Sequence, residues 1–191
     1  MLVLDADADG LPEIAVATHY RVMVYNGQTG EKKMELRWHN MRNYGFFGSF
    51  TVPGDPYPKF VVIADFISHI DVLDNDGKKL TLLWNRNIEP TIIRKRKVVR
   101  PGPNPIADID GDGKVEITFN LYNDKKDSKW HVMSIDALTG KTRFDLPDTY
   151  VHGLADVNGD GQPELFIGET HGLAVSRFSS IRLLSLKGGN Q

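Results

Sequence analysis

The sequence predicts an all-β fold, a β-propeller built of four-stranded antiparallel blades, with four blades in this chain. Three observations predict it. An acidic loop recurs with apolar runs on both sides, at Asp5, Asp108 and Asp156. The last two copies start 48 residues apart and the first two 103, about twice that interval, so a degenerate copy is expected between them. Finally, no segment sustains an apolar period of 3.6, whereas short β-branched and aromatic runs alternate with Gly-containing turns. Four strands per unit at a period of 40–50 residues is a blade signature. A β-sandwich is the alternative, but sandwiches rarely repeat a loop motif at fixed spacing.

The repeat units run approximately 1–42, 43–99, 100–147 and 148–191. In the first, Leu2-Val3-Leu4 precedes the acidic loop. The motif strand, then Arg21–Tyr25, the turn Asn26-Gly27-Gln28-Thr29-Gly30 and Lys33–Trp38 follow. In the second, Phe46–Val52 is a strand and Pro53-Gly54-Asp55-Pro56-Tyr57-Pro58 replaces the acidic loop, so no ion is expected there. Lys59–Ala64, His69–Leu73 and Lys79–Trp84 complete that unit. The third continues with Trp130–Ile135, the turn Asp136–Gly140 and Lys141–Phe144, the fourth with Leu173–Arg177 and Ile181–Leu186. Val61-Val62-Ile63-Ala64 and Leu165-Phe166-Ile167 are nearly continuous apolar runs, as expected of inner strands covered on both faces.

Each loop reads D-x-(D/N)-x-D-G-x-x-E. Calcium takes six to eight oxygen ligands, and carboxylates at positions one, three and five converge if the chain curls. Glycine at position six (Gly10, Gly113, Gly161) permits the sharp turn. Position seven offers a backbone carbonyl and position nine a further carboxylate. An apolar strand starts directly after that Glu, which separates the motif from a helix-loop-helix site with its last ligand at position twelve. Magnesium prefers to keep its waters, and zinc disfavours all-oxygen sites. About three structural Ca²⁺ ions are therefore expected.

The loops and their period resemble the FG-GAP/VCBS-type repeats of the integrin α-chain propeller and its bacterial relatives, over most of the chain. The resemblance implies ligands Asp5, Asp7, Asp9, Leu11 and Glu13 in the first loop. In the second it implies Asp108, Asp110, Asp112, Lys114 and Glu116, and in the third Asp156, Asn158, Asp160, Gln162 and Glu164. Leu11, Lys114 and Gln162 would contribute backbone oxygens. Glu stands at position nine where integrin chains often have Asp, and the Phe-Gly…Gly-Ala-Pro element that names the family is not evident. Four blades could close on themselves or form part of a larger ring.

Net charge is −2, but 11 of the 25 acidic residues lie in the three loops, leaving 14 against 23 basic residues elsewhere. Clustered carboxylates repel unless a cation sits among them. There is no cysteine, so disulfide and thiolate chemistry are excluded. No stretch has the length of an apolar membrane span, and Met1–Asp5 does not read as a signal peptide. The chain opens almost directly on a motif, which suggests a piece of a longer protein. The run Arg94-Lys95-Arg96-Lys97 reads as a solvated face rather than an anion site, and nucleic acid is not an expected partner. The histidines (His19, His39, His69, His131, His152, His171) show no metal-pair spacing. Trp38 and Trp84 end fourth strands and Trp130 starts a third, a placement that favours blade packing over sugar stacking. No catalytic triad or phosphate-binding loop is present. Asp65, Asp71, Asp124, Asp127 and Asp145 lie outside the loops, with nothing in the sequence to pair them.

Together these features predict a non-catalytic, calcium-stabilised segment of an exported, cell-surface or periplasmic protein. It would serve adhesion, ligand binding or assembly, with a protein or glycan ligand and other domains or subunits as partners. The alternative is the propeller of a carbohydrate-active enzyme such as a polysaccharide lyase.

Overall fold

The computed structural model describes residues 1–37, 43–64, 69–88, 98–99, 102, 104–123, 126–170 and 180–186. The strands are β1 (Leu2–Leu4), β2 (Glu13–Thr18), β3 (Arg21–Asn26), β4 (Lys32–Arg37), β5 (Asn43–Val52), β6 (Asp55–Ala64), β7 (His69–Asn75) and β8 (Leu80–Asn87). They continue as β9 (Val98–Val99), β10 (Ile106–Ala107), β11 (Glu116–Asn123), β12 (Lys129–Asp136), β13 (Thr142–Pro147), β14 (Thr149–Ala155), β15 (Glu164–Glu169) and β16 (Ile181–Leu184). They form four antiparallel meanders: β1-β2-β3-β4, β5-β6-β7-β8, β10-β11-β12-β13 with β9 beside β11, and β14-β15-β16. Among the described residues there is no helix, and so none long and apolar enough to cross a membrane.

The hairpins follow from local chemistry. Between β3 and β4, Asn26 Oδ1 accepts the N–H groups of Gln28 (2.9 Å) and Thr29 (2.8 Å). Between β12 and β13, Asp136 Oδ1 accepts those of Leu138 (3.0 Å) and Thr139 (2.7 Å). An Asx side chain that bonds its own backbone two residues on presets the reversal. Gly30 (φ 73°) and Gly140 (φ 68°) then close each turn with an N–H bond to the Asx carbonyl.

The chain forms two compact units, Met1–Ile88 and Glu89–Gln191, each with two sheets. In the first unit Ala15, Val22, Val24 and Met34 of one sheet share a core with Phe46, Phe60, Val62, Leu73 and Leu80 of the other. In the second, Ile109 and Val132 pack with Val151, Leu165 and Ile167. Inner strand β11 is covered on both faces, with every residue buried, and β12 is nearly so. Outer strands β8 and β13 are largely exposed, as an edge is.

Burying β11 buries polar groups too. Asn120 solves this by gripping the backbone of the neighbouring sheet. Its Nδ2 donates to Val151 O (2.7 Å) and its Oδ1 accepts from Val151 N (2.7 Å). Trp130 is buried edge-on between Tyr122 of its own sheet and Tyr150 of the next, with centroids 5.4 and 5.0 Å away. Its role is packing between sheets.

Several sequence expectations shift. The connector 53–58 is not a six-residue loop. Val52 pairs with Asp55 across a two-residue turn in which Gly54 has φ 84°, and β6 begins at Asp55. Pro56 and Pro58 are tolerated because β6 pairs with β7 only from Phe60 onward. Trp84 lies inside β8, opposite Val72, not at its end. Val98–Val99, placed by sequence at the close of the second unit, pairs with β11 of the third sheet. Ile181–Leu184 pairs directly with β15 and so takes the third place in its sheet, not the fourth. The expected strand Leu173–Arg177, Trp38, His39, His171, Asp65, Asp124 and the basic run 94–97 lie outside the described residues.

Candidate metal centre

Each acidic loop joins the first two strands of its sheet, and the three are built alike. The position-one Asp is a backbone cap. Asp5 accepts from the N–H groups of Asp9 and Gly10 (3.2 and 2.9 Å). Asp108 accepts from Gly111 and Gly113 (2.7 and 2.9 Å). Asp156 accepts from Gly159, Asp160 and Gly161 (2.7, 3.2 and 2.8 Å). The position-five Asp turns the chain back by accepting from the position-seven N–H, that of Leu11, Lys114 or Gln162, at 2.8, 2.9 and 3.0 Å. Gly10, Gly113 and Gly161 hold φ of 86°, 82° and 88°.

The position-nine Glu opens the second strand and is buried in all three copies. One of its oxygens, Oε2, accepts the position-two N–H, from Ala6 (2.8 Å), Ile109 (3.0 Å) or Val157 (3.0 Å). The other, Oε1, turns to the ring of carboxylates. Asp5, Asp7, Asp9 and Glu13 each bring an oxygen within 4.8 Å of one another, as do Asp108, Asp110 and Glu116. Asp112 lies outside the second group. Among the described residues the third loop's carboxylates are not gathered in this way. There Asn158 Nδ2 donates to Glu164 Oε1 (2.6 Å).

Position four is also left-handed, at Gly111 (φ 74°) and Gly159 (φ 78°), but the first loop holds Ala8 there at φ 59°. An L-residue in that region is strained by about 1–2 kcal/mol. Ala8→Gly should therefore stabilise the protein by about 0.5–1 kcal/mol, since unfolded-chain entropy offsets part of the relief. Denaturant unfolding of the two proteins checks it; a loss of stability would mean that the Ala8 methyl is needed. Gly111 has a further constraint, because a Cβ there would sit 1.9 Å from Gln162 Nε2 of the third loop.

The rings are electrostatically demanding. Burial, with Asp110 and Asp112 adding to it and the Ile109 N–H and Arg143 opposing, pushes the Glu116 carboxyl up to about 7. Its Oε1 is buried and without a hydrogen-bond partner, and so is Asp7 Oδ1. Such orphaned oxygens, converging on neighbouring carboxylates, suit a hard cation.

Sequence reasoning missed the basic residues that meet these loops. Lys33 Nζ pairs with Asp7, with Asp9 Oδ2 (3.2 Å) and with Glu13 Oε1 (3.1 Å). Asp7, Glu13 and Asp9 hold its ammonium above the usual lysine range against burial. Arg143 Nη2 lies 2.6 Å from both Asp110 Oδ2 and Asp112 Oδ2, and its Nε is 3.8 Å from Glu116 Oε1. The second sheet inverts the charges. At the strand position of Glu13 and Glu116 stands Lys59, buried and paired with Asp55 (2.6 Å) and Asp74 (2.5 Å). Burial works against its charge, yet Asp55 and Asp74 hold its pKa above the usual value.

His131 also gains partners that the sequence did not reveal. Its Nδ1 meets Asp145 Oδ1 at 2.6 Å and its Nε2 meets Asp127 Oδ2 at 2.9 Å. The β12–β13 register, which sets Met133 opposite Asp145, brings Asp145 to His131, whereas Asp127 lies only four residues before it.

No protein-family model matches the chain, and no curated protein does. Among solved structures it is similar to the C-terminal domain of Pseudomonas aeruginosa PilY1, with TM-score 0.51 and 18% identity over 83% of this chain and 36% of that one. BamB from Moraxella catarrhalis matches with TM-score 0.42 and 14% identity, over 95% of this chain and 53% of that one. The chain thus spans about a third of the first and about half of the second. The likeness to PilY1, with the four antiparallel meanders, makes the fold that of propeller blades.

Proposed function

We propose that this chain is a calcium-binding segment of an FG-GAP/VCBS-like propeller in an exported or cell-surface protein. It acts as a non-catalytic module for adhesion, ligand binding or assembly. The observation that carries the metal reading is the buried Glu116 oxygen, without a hydrogen-bond partner and set among the second loop's carboxylates. The first loop repeats the arrangement with Asp7. Asp5, Asp7, Asp9 and Glu13 would hold one ion, Asp108, Asp110 and Glu116 a second, and the similarly curled third loop a third. When bound, calcium would supply a partner for the buried oxygens that have no hydrogen bond and would tie together the first two strands of a sheet. The unfolded chain has no preformed site, so binding free energy becomes folding free energy. Millimolar calcium outside the cell would keep such sites filled, which supports an extracellular or periplasmic setting.

Calorimetric titration of calcium into chelator-treated protein tests this. About three ions are expected. A free concentration of about 100 times Kd should stabilise the fold by about 2.7 kcal/mol per site. No binding heat, with identical melting curves in calcium and in chelator, would overturn the reading.

A further inference from the structure

Lys33 and Arg143 occupy equivalent places. The β3–β4 pairing runs from Val24–Met34 to Tyr25–Lys32, leaving Lys33 as an extra residue. The β12–β13 pairing runs from Ser134–Phe144 to Ile135–Thr142, leaving Arg143 in the same position. A β-bulge of this kind re-aims a side chain out of the ladder. Here both bulges aim a cation at the acidic loop of their own sheet. The second sheet bulges at the same step, between Val72–Trp84 and Leu73–Leu82, and its extra residue is Leu83. That sheet has no acidic loop and carries Lys59 where the others carry Glu. Among the first three sheets the bulged cation is present in the two with an acidic loop and absent in the one without.

The nitrogens meet carboxylates that a metal ion would use, all three partners of Lys33 and, among those of Arg143, Asp110. Lys33 takes Asp7, Asp9 and Glu13, all three in the gathered group of the first loop. Arg143 takes Asp110 and Asp112 and leaves Glu116 Oε1 beyond hydrogen-bond reach. An ammonium or guanidinium nitrogen at contact distance from these carboxylates competes with a calcium ion for their negative charge. Like charges a few ångströms apart repel strongly in a half-buried site.

We propose that Lys33 and Arg143 are built-in counter-ions of the first two loops, which calcium must displace to bind. They keep those loops ordered without metal and lower their apparent calcium affinity. The inference rests on the calcium reading above. Apparent affinity falls by the fraction of molecules competent to bind, so a counter-ion seated nine-tenths of the time weakens binding about tenfold.

The test is calorimetric calcium titration of the full chain and of the variants Lys33→Met and Arg143→Met. Each variant should bind one ion about tenfold more tightly than wild type, with the other sites unchanged. If wild type binds about three ions and the variants bind with equal or weaker affinity, the counter-ion inference is overturned and the calcium reading stands. If none of the three proteins binds calcium, both fall. Should a variant fail to fold, the wild-type Arg143 Nε–H resonance decides: it should move as calcium fills the second loop, and an unmoved resonance at saturation overturns the inference.

Discussion

Asn120→Ala should destabilise the unit Glu89–Gln191 by about 3–5 kcal/mol, read as a loss of unfolding free energy in denaturant. Asn120 sits in β11 with every residue of that strand buried, and bonds both the N–H and the C=O of Val151 on the next sheet. Truncation removes two hydrogen bonds at once. It also leaves both Val151 backbone groups buried and unpaired, at about 1–3 kcal/mol each. Asn120→Asp separates the two halves of the contact, because it keeps an acceptor for Val151 N and loses the donor to Val151 O. It adds a buried charge and should be at least as damaging. A loss below about 1 kcal/mol for Asn120→Ala would mean that water replaces the side chain and that the sheets are held by apolar contact alone.

The second large effect is expected at Lys59. Lys59→Glu installs the residue type that opens the corresponding strand in the other three sheets, and by sequence logic it looks like a repair. It should instead cost about 3–5 kcal/mol, the usual penalty for leaving a buried charge without its partner. The new carboxylate would face Asp55 and Asp74, whose oxygens now lie 2.6 and 2.5 Å from the ammonium. There is no curled loop here to bring in a compensating ion, only the tight turn at Pro53-Gly54. Lys59→Met, which keeps volume and removes the charge, should stay within about 1 kcal/mol of wild type, because Asp55 and Asp74 are partly solvated. Equal melting temperatures for Lys59→Glu and wild type would show that the two aspartates relax away freely.

Much of this molecule was legible in the chain. The repeat spacing and the alternation of β-rich runs with Asx-Gly turns lead to four meanders, because hairpin geometry is local and each turn carries its own hydrogen bonds. The acidic loops were legible for the same reason: every backbone bond that curls them lies within nine residues. The degenerate copy was located correctly, but its shape was misjudged. Three prolines in Pro53–Pro58 read as loop, whereas the structure extends β6 through two of them, Pro56 and Pro58, where no third strand needs an N–H donor.

What depended on register or on non-neighbouring strands stayed hidden. The fourth unit's order is one case. A strand at Ile181–Leu184 could be seen, but its pairing with β15 is a choice between partners that the residues themselves do not make. The His131 pair with Asp145 is another, since it needs the β12–β13 register. The basic residues that meet the loops are the clearest. Lys33 lies 20 residues beyond Glu13, and Arg143 lies 27 beyond Glu116, each in a strand otherwise read only as an edge. The sequence by itself determined the hairpins and the curled backbone of the acidic loops, because both are made by contacts close along the chain. The tertiary structure alone decided which cation those carboxylates meet. A one-residue bulge two strands away rotates a side chain from solvent into the loop, and pairing register across strands is settled by the packed sheet as a whole.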